Sequence, residues 1–340
     1  MLILGIESTC DETGAAVVDG TRVLSNVVAT QFELHARYRG VVPEIASRAH
    51  IENILPVIVE SLKSAGVEMK NLDAVAVAHR PGLIGSLLIG VTAAKTLAWT
   101  LGKPLVGVDH VHAHLYSVCL ETERAPEFPA IGLVCSGGHT ALYRMGDFLD
   151  VELIGSTLDD AVGEAYDKVA NILGLGFPGG PAIDRIARDG DANAIRFPRG
   201  TMGRNSLDFS FSGLKTSVLY HVRGYQGRQQ DARQLSEREI CDVAASFQAA
   251  CVDVLVEKIR RGARRTGAKS IIIGGGVSAN SALRAAMERF ELPVFFPKLE
   301  YCSDNAAMTA GLAGILLAAG RTSPLDLDAI PHSQFADGKN

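Results

Sequence analysis

The strand pattern of this 340-residue chain starts twice, and that restricts it to two related α/β lobes. The first start is an apolar run at 2–6, a polar loop at 7–13, and two runs at 15–18 and 23–28 around Asp19-Gly20, a dipeptide suited to a tight hairpin. Helical periodicity then runs from Pro43, a good first helical position, to Gly66. A strand at 74–78, a helix at about 83–101 closed by Gly102, and a strand at 105–108 follow. At Pro129 the pattern begins again, with strands at 130–135, 140–145 and 151–154 before a helix at about 159–173. Helices are predicted at 212–223 and 237–265, a strand at 270–273, a helix ending near Arg289, a strand at 293–296, and a last helix from Asp304. The expected lobes are 1–128 and 129–340, with the last helix a candidate to cross back onto the first. The section 185–269 reads as a helical, basic insertion in the second.

Composition supplies what such lobes need. Hydrophobic residues make up 47% and aromatics only 6%, so the cores must be aliphatic. The longest apolar stretches, 81–94 and 308–320, fall short of the ~20 residues of a membrane span, and no basic segment precedes the first apolar run. Six scattered cysteines without a C-x-x-C pair suit a reducing compartment, so the expectation is a cytoplasmic protein with no membrane partner. The net charge of −5 gives no general attraction for nucleic acid. Its distribution does: 185–269 carries 16 Lys and Arg against 9 Asp and Glu, whereas the rest carries 17 against 29. The plain alternative is a helical surface whose arginines pair with local acids.

Four segments carry chemistry. Gly274-Gly275-Gly276-Val277-Ser278-Ala279-Asn280 follows a strand and opens a helix, where a nucleotide can approach the backbone, although it is neither a dinucleotide fingerprint nor a Walker loop. Ser136-Gly137-Gly138-His139-Thr140 is a glycine hairpin able to wrap a phosphate, and the corresponding first-lobe loop offers Glu7, Asp11 and Glu12. Pro178-Gly179-Gly180-Pro181 reads as a stiff loop beside Glu164, Asp167 and Asp184, suited to sugar hydroxyls or simply a helix-breaking turn. His110 and His114 stand four apart, on one face if helical, a metal-binding spacing that needs a third ligand. Asp304 is either that ligand or an N-cap. No Glu follows His110, which removes the general base of an H-E-x-x-H protease.

Together these segments resemble the universal tRNA N6-adenosine threonylcarbamoyltransferase family. The resemblance also rests on Val42-Pro43-Glu44-Ile45-Ala46-Ser47-Arg48 with His50, Gly163-Glu164-Ala165-Tyr166-Asp167-Lys168, Phe209-Ser210-Phe211-Ser212-Gly213-Leu214-Lys215-Thr216 and Cys302-Ser303-Asp304-Asn305. It implies an actin-like ATPase fold of two ribonuclease H-like lobes around a cleft. It further implies transfer of a threonylcarbamoyl group from threonylcarbamoyl-AMP to N6 of the adenosine 3′ to the anticodon in tRNAs reading ANN codons. By position, His110, His114 and Asp304 would hold one divalent metal, iron or alternatively zinc. Leu133, Val134, Cys135, Ser136, Gly137, Asp167, Gly180, Asp184 and Asn280 would hold the adenylate. Bacterial partners implied are a smaller inactive paralogue and a P-loop ATPase.

The chemistry needs a base for the adenine amine, and Asp11, oriented by Glu12, is the candidate. A kinase of the same fold acting on a sugar or acid is the alternative, and a nucleotide-switch chaperone a third reading. The imidazole pair disfavours both, because carboxylate-held Mg²⁺ suits phosphoryl transfer. Two positions depart from the family pattern: Arg80 in Ala78-His79-Arg80-Pro81-Gly82-Leu83, where T-x-G-P-G-L is common, and His112, where many bacterial members have Glu. Arg80 is expected to alter a tRNA or partner surface.

Overall fold

The computed structural model describes residues 1–38, 40–200, 202–203, 205–224 and 235–332. The chain divides into two compact units, Met1–Ala125 with Phe148–Asp150 and from Phe296 on, and Pro126–Asp147 with Val151–Phe295. Residues 296–332, expected with the second lobe apart from the crossing helix, group with the first unit.

The first unit contains strands β1 (Leu2–Glu7), β2 (Glu12–Asp19), β3 (Arg22–Thr30), β4 (Ala74–Arg80) and β5 (Leu105–Asp109) in the order β3-β2-β1-β4-β5. β1 pairs antiparallel with β2 and parallel with β4. Its helices are α1 (Phe32–Ala36), α2 (Pro43–Ala65), α3 (Ile84–Leu101) and α4 (His110–Tyr116). The second unit has β6 (Ala130–Cys135), β7 (Thr140–Met145), β8 (Val151–Ser156), α5 (Val162–Ile172), α6 (Gly179–Ala187), α7 (Ser212–Arg223), α8 (Glu237–Thr266), β9 (Ser270–Gly274), α9 (Ser281–Met287) and β10 (Val294–Phe295). Its sheet order is β10-β9-β6-β7-β8, the same arrangement met from the other edge. The repeat read from the sequence is thus a repeat of topology. α10 (Ala306–Ala318), the last helix, returns to the first unit.

Aliphatic side chains build the first core: Leu4, Ile6, Val75 and Val77 of the sheet pack with Ile54, Ile58, Val91, Ala94 and Ala98 of α2 and α3. α2 begins with Pro43 and ends at Gly66, whose φ of 64° supplies the left-handed cap that side chains resist. α3 is long and apolar enough, by length and composition, to cross a membrane, a property the shorter apolar stretches had not led us to expect. Here one side of it covers the sheet, with Leu87, Val91 and Ala98 buried. α10 packs across the strands, over the central β1 so tightly that a Cβ at Gly5 would collide with the Ala306 carbonyl and come within 2.9 Å of the Ala310 side chain.

Two local expectations change. Gly179 and Gly180 lie in the first turn of α6, not in a loop; Pro181 is tolerated that early because its missing N–H has no helical partner there. α5 starts at Val162 rather than Asp159, because Asp159 instead accepts hydrogen bonds from Ser210 Oγ (2.5 Å) and the backbone N–H of Phe211 (2.8 Å) at the start of α7.

Candidate functional site

The histidine pair lies on α4, a seven-residue helix that leaves β5 through Asp109. Asp109 Oδ1 accepts the His112 N–H and caps the helix, while Asp109 Oδ2 lies 3.4 Å from Arg80 Nε. Arg80 is 23% exposed and braces the helix that carries His110 and His114. His112 is buried on the same helix.

The helical spacing sets the two imidazoles edge to face, with ring centroids 4.7 Å apart. Asp304 reaches them from the segment before α10. Its Oδ1 lies 3.1 Å from His114 Nε2 and 3.5 Å from His110 Nε2. The capping duty falls to its neighbour: Asn305 accepts the Met308 N–H and starts α10, which leaves Asp304 free for the histidines. The three ligand atoms lie within 4.8 Å of one another. Two imidazole nitrogens and a carboxylate oxygen, joined by no other His, Cys, Asp or Glu among the described residues, are a donor set fit for a divalent metal with open positions.

Charge in this pocket is balanced locally. Burial alone would lower the pKa of His110, but the Glu7 and Asp304 carboxylates raise it well above the usual imidazole range. Burial would raise that of Asp304, and the two histidines instead hold it well below the usual carboxylate range. Asp11 and Glu12 are buried in the loop entering β2. Burial, then Asp304 and Asp11, push Glu12 well above the usual range, and it shares a hydrogen bond with Asp11. His50 holds this loop: its Nδ1 lies 2.8 Å from Thr13 Oγ1, and its Nε2 lies 3.0 Å from the Cys10 carbonyl oxygen.

The residues expected to hold an adenylate form a second cluster, inside the second unit. Leu133, Val134 and Cys135 end β6, parallel to β9. The Ser136 carbonyl accepts the Gly163 N–H at the start of α5, and a Cβ at Gly275 would come within 2.5 Å of the Cys135 carbonyl. Asp167 Oδ1 accepts the Gly179 N–H at 2.7 Å, and Asp184 Oδ1 accepts Ser281 Oγ at 2.8 Å. Asn280 caps α9 through the Leu283 N–H and donates to Gln248 Oε1 at 2.7 Å. The cluster lies at the carboxyl ends of β6 and β9, where open α/β sheets bind ligands. Cβ atoms placed at Gly137, Gly180 or Gly276 would have no neighbour within 4 Å among the described residues. The sequence had not singled out Gln248, which bears no local motif, and had assigned no role to Glu7.

The basic section is more self-paired than its charge implied. Arg199 is held by Asp253 at 2.9 Å, Arg261 by Glu257 at 2.7 Å, and Arg238 by Asp242 at 3.2 Å. Arg204 lies outside the described residues. Arg196, Arg264 and Arg265 are exposed.

A family model for tRNA N6-adenosine threonylcarbamoyltransferase matches residues 22–311. The chain belongs to this family. Enzymes so named from Moorella thermoacetica and Symbiobacterium thermophilum are 51% and 52% identical over 335 residues, covering 97% of this chain and 96% of theirs. A third, from Anaeromyxobacter dehalogenans, is 50% identical over 97% of this chain and 98% of its own. Among solved structures, T. kodakarensis HypF aligns with a TM-score of 0.59 at 17% identity, over 93% of this chain and 47% of that one. The Acidaminococcus fermentans (R)-2-hydroxyglutaryl-CoA dehydratase component A aligns at 0.54 and 14% identity, over 94% and 99%. These likenesses show the fold alone, that of the actin-like ATPases, to which this transferase family member conforms.

Proposed function

We propose that the protein transfers the threonylcarbamoyl group of threonylcarbamoyl-AMP to N6 of the adenosine 3′ to the anticodon in tRNAs reading ANN codons. About half-identity to enzymes of that name over 97% of the chain carries the reading. The test is mass spectrometry of tRNA nucleosides after incubating the purified chain, with its partners, with the donor and unmodified tRNA. Absence of the threonylcarbamoyl nucleoside, with phosphorylation of a small hydroxylated substrate instead, would favour the kinase alternative.

His110, His114 and Asp304 would hold one divalent metal, iron or zinc. Bound there, it would supply Lewis-acid stabilisation of the oxygen that gains charge as the amine attacks. Asp11 takes the proton that N6 loses as the new C–N bond forms, and AMP departs with the electron pair of the broken C–O bond. Glu12 orients Asp11 through their shared hydrogen bond.

Leu133, Val134, Cys135, Ser136, Gly137, Asp167, Gly180, Asp184 and Asn280 would bind the adenylate. The open space at Gly180 supports this and makes a clean test. The Cβ of Gly180→Val has no neighbour within 4 Å among the described residues, so the change should leave thermal stability nearly unchanged while lowering AMP affinity at least about tenfold, a loss of 1.4 kcal/mol. Calorimetry showing wild-type affinity would move the adenylate elsewhere.

For tRNA, the exposed Arg196, Arg264 and Arg265 are the better candidates than the self-paired Arg199. Reversing all three to Glu should weaken tRNA binding and flatten its salt dependence without touching AMP affinity. An unchanged salt slope would remove this surface from the tRNA path. The smaller paralogue would dock on α2 and α3, where Ile51, Leu55, Val59, Ile84 and Leu88 form an exposed apolar stripe. Leu55→Glu should then abolish co-elution with the paralogue, and persistence of the complex would place that partner elsewhere. The P-loop ATPase would join the same assembly. A tRNA substrate goes with a cytoplasmic location, which six scattered cysteines without a C-x-x-C pair suit.

A further inference from the structure

We infer that Glu7 is a positioning residue for the metal site, fixing through His110 Nδ1 which ring nitrogen of His110 is free to ligate. Glu7 ends β1 and is 0% exposed. Its Oε1 accepts the Thr9 N–H at 2.9 Å, and its Oε2 accepts the Thr309 hydroxyl at 3.2 Å. Oε2 also lies 3.1 Å from His110 Nδ1. Among the described residues no lysine or arginine pairs with this carboxylate, so its electrostatic partner is the imidazole side of the site.

Both Glu7 oxygens stand as acceptors, towards the Thr9 N–H and the Thr309 hydroxyl. Facing Oε2, Nδ1 of His110 is the donor, which leaves the lone pair of a neutral ring on Nε2, the nitrogen 3.5 Å from Asp304 Oδ1. Thr9 Oγ1, 3.3 Å from the same Nδ1, can only assist as a second acceptor. The anchoring is rigid because Glu7 is tied at both oxygens, to β1's own exit loop and to α10. His114 has no such support: its Nδ1 is buried without a hydrogen-bond partner among the described residues. One ligand of the pair is oriented by the protein and the other is not. A buried carboxylate behind a ligating imidazole also raises its basicity and adds a negative charge near the cation.

The inference rests on the metal-site reading above, and the experiment separates the two. The full-length apo protein is titrated with Co²⁺, whose visible absorption reports both occupancy and coordination. Glu7→Gln removes the charge and the fixed acceptor while keeping the shape. It should weaken Co²⁺ binding about 10- to 100-fold and alter the band, with the thermal transition retained. Equal affinity and spectrum for Glu7→Gln and wild type overturn the inference. If Glu7→Gln does not fold, Glu7→Asp, which withdraws the carboxylate by one methylene, takes its place; it should weaken binding, and parity with wild type overturns the inference. A wild-type protein that binds no Co²⁺ overturns the metal site itself and this inference with it.

Discussion

His114→Ala is expected to abolish metal retention and lower the rate of threonylcarbamoyl transfer at least 100-fold. His114 contributes one of three ligand atoms within 4.8 Å, and among the described residues no other His, Cys, Asp or Glu joins that group. Lewis-acid stabilisation amounts to several kcal/mol, and each 1.36 kcal/mol is about tenfold in rate. Stability should fall by only about 1–3 kcal/mol, the cost of leaving Asp304 short of a hydrogen-bond partner. Elemental analysis and single-turnover transfer are the measurements. A variant that keeps one metal per chain at the wild-type rate would refute the triad.

Gly5→Val is expected to be the most damaging single substitution in the first unit. The glycine is there because α10 crosses β1 at backbone contact: the Ala306 carbonyl and the Ala310 backbone N, 2.9 Å away, occupy the place of a Cβ. Neither is the end of a flexible side chain, so the helix itself must move. Overpacking a core costs about 1–3 kcal/mol, and a rigid backbone obstacle puts this case at or above the top of that range. The first unit should melt about 6–12 °C lower. Because Asp304 lies two residues before Ala306, the same shift should weaken metal binding. Calorimetry and Co²⁺ titration on one preparation would check both, and an unchanged melting temperature would mean that α10 does not pack there in solution.

Much of this was legible because period and punctuation are local. Pro43, Gly66 and Gly102 mark helix ends by backbone chemistry alone, and each stands where the structure ends or begins a helix. The i, i+4 histidines could be read as neighbours because a helix puts such residues on one face, and their rings do lie edge to face on α4. Asp304 could be read either as ligand or as cap, since Asp and Asn both cap helices; only the coordinates show Asn305 taking that duty. Pro178-Gly179-Gly180-Pro181 looked like a loop because two glycines and two prolines weaken a helix. The Asp167 carboxylate, on the helix before it, accepts the Gly179 N–H at the start of α6. Arg80 and Glu7 were opaque because their partners, Asp109 and His110, are set by the order of the strands in the sheet.

The return of α10 to β1 also fixes an order of events during synthesis. The second unit draws almost all its residues from one continuous stretch, so it can close while the ribosome is still at work. The first unit begins earlier yet cannot finish: β1 leaves the tunnel some three hundred residues before the helix that seals it, and Asp304 arrives only with that helix. A nascent chain halted before that point holds both histidines but not their carboxylate. The His110–His114–Asp304 cluster thus belongs to the last-completed part of the protein, and a product truncated before Asp304 cannot assemble it.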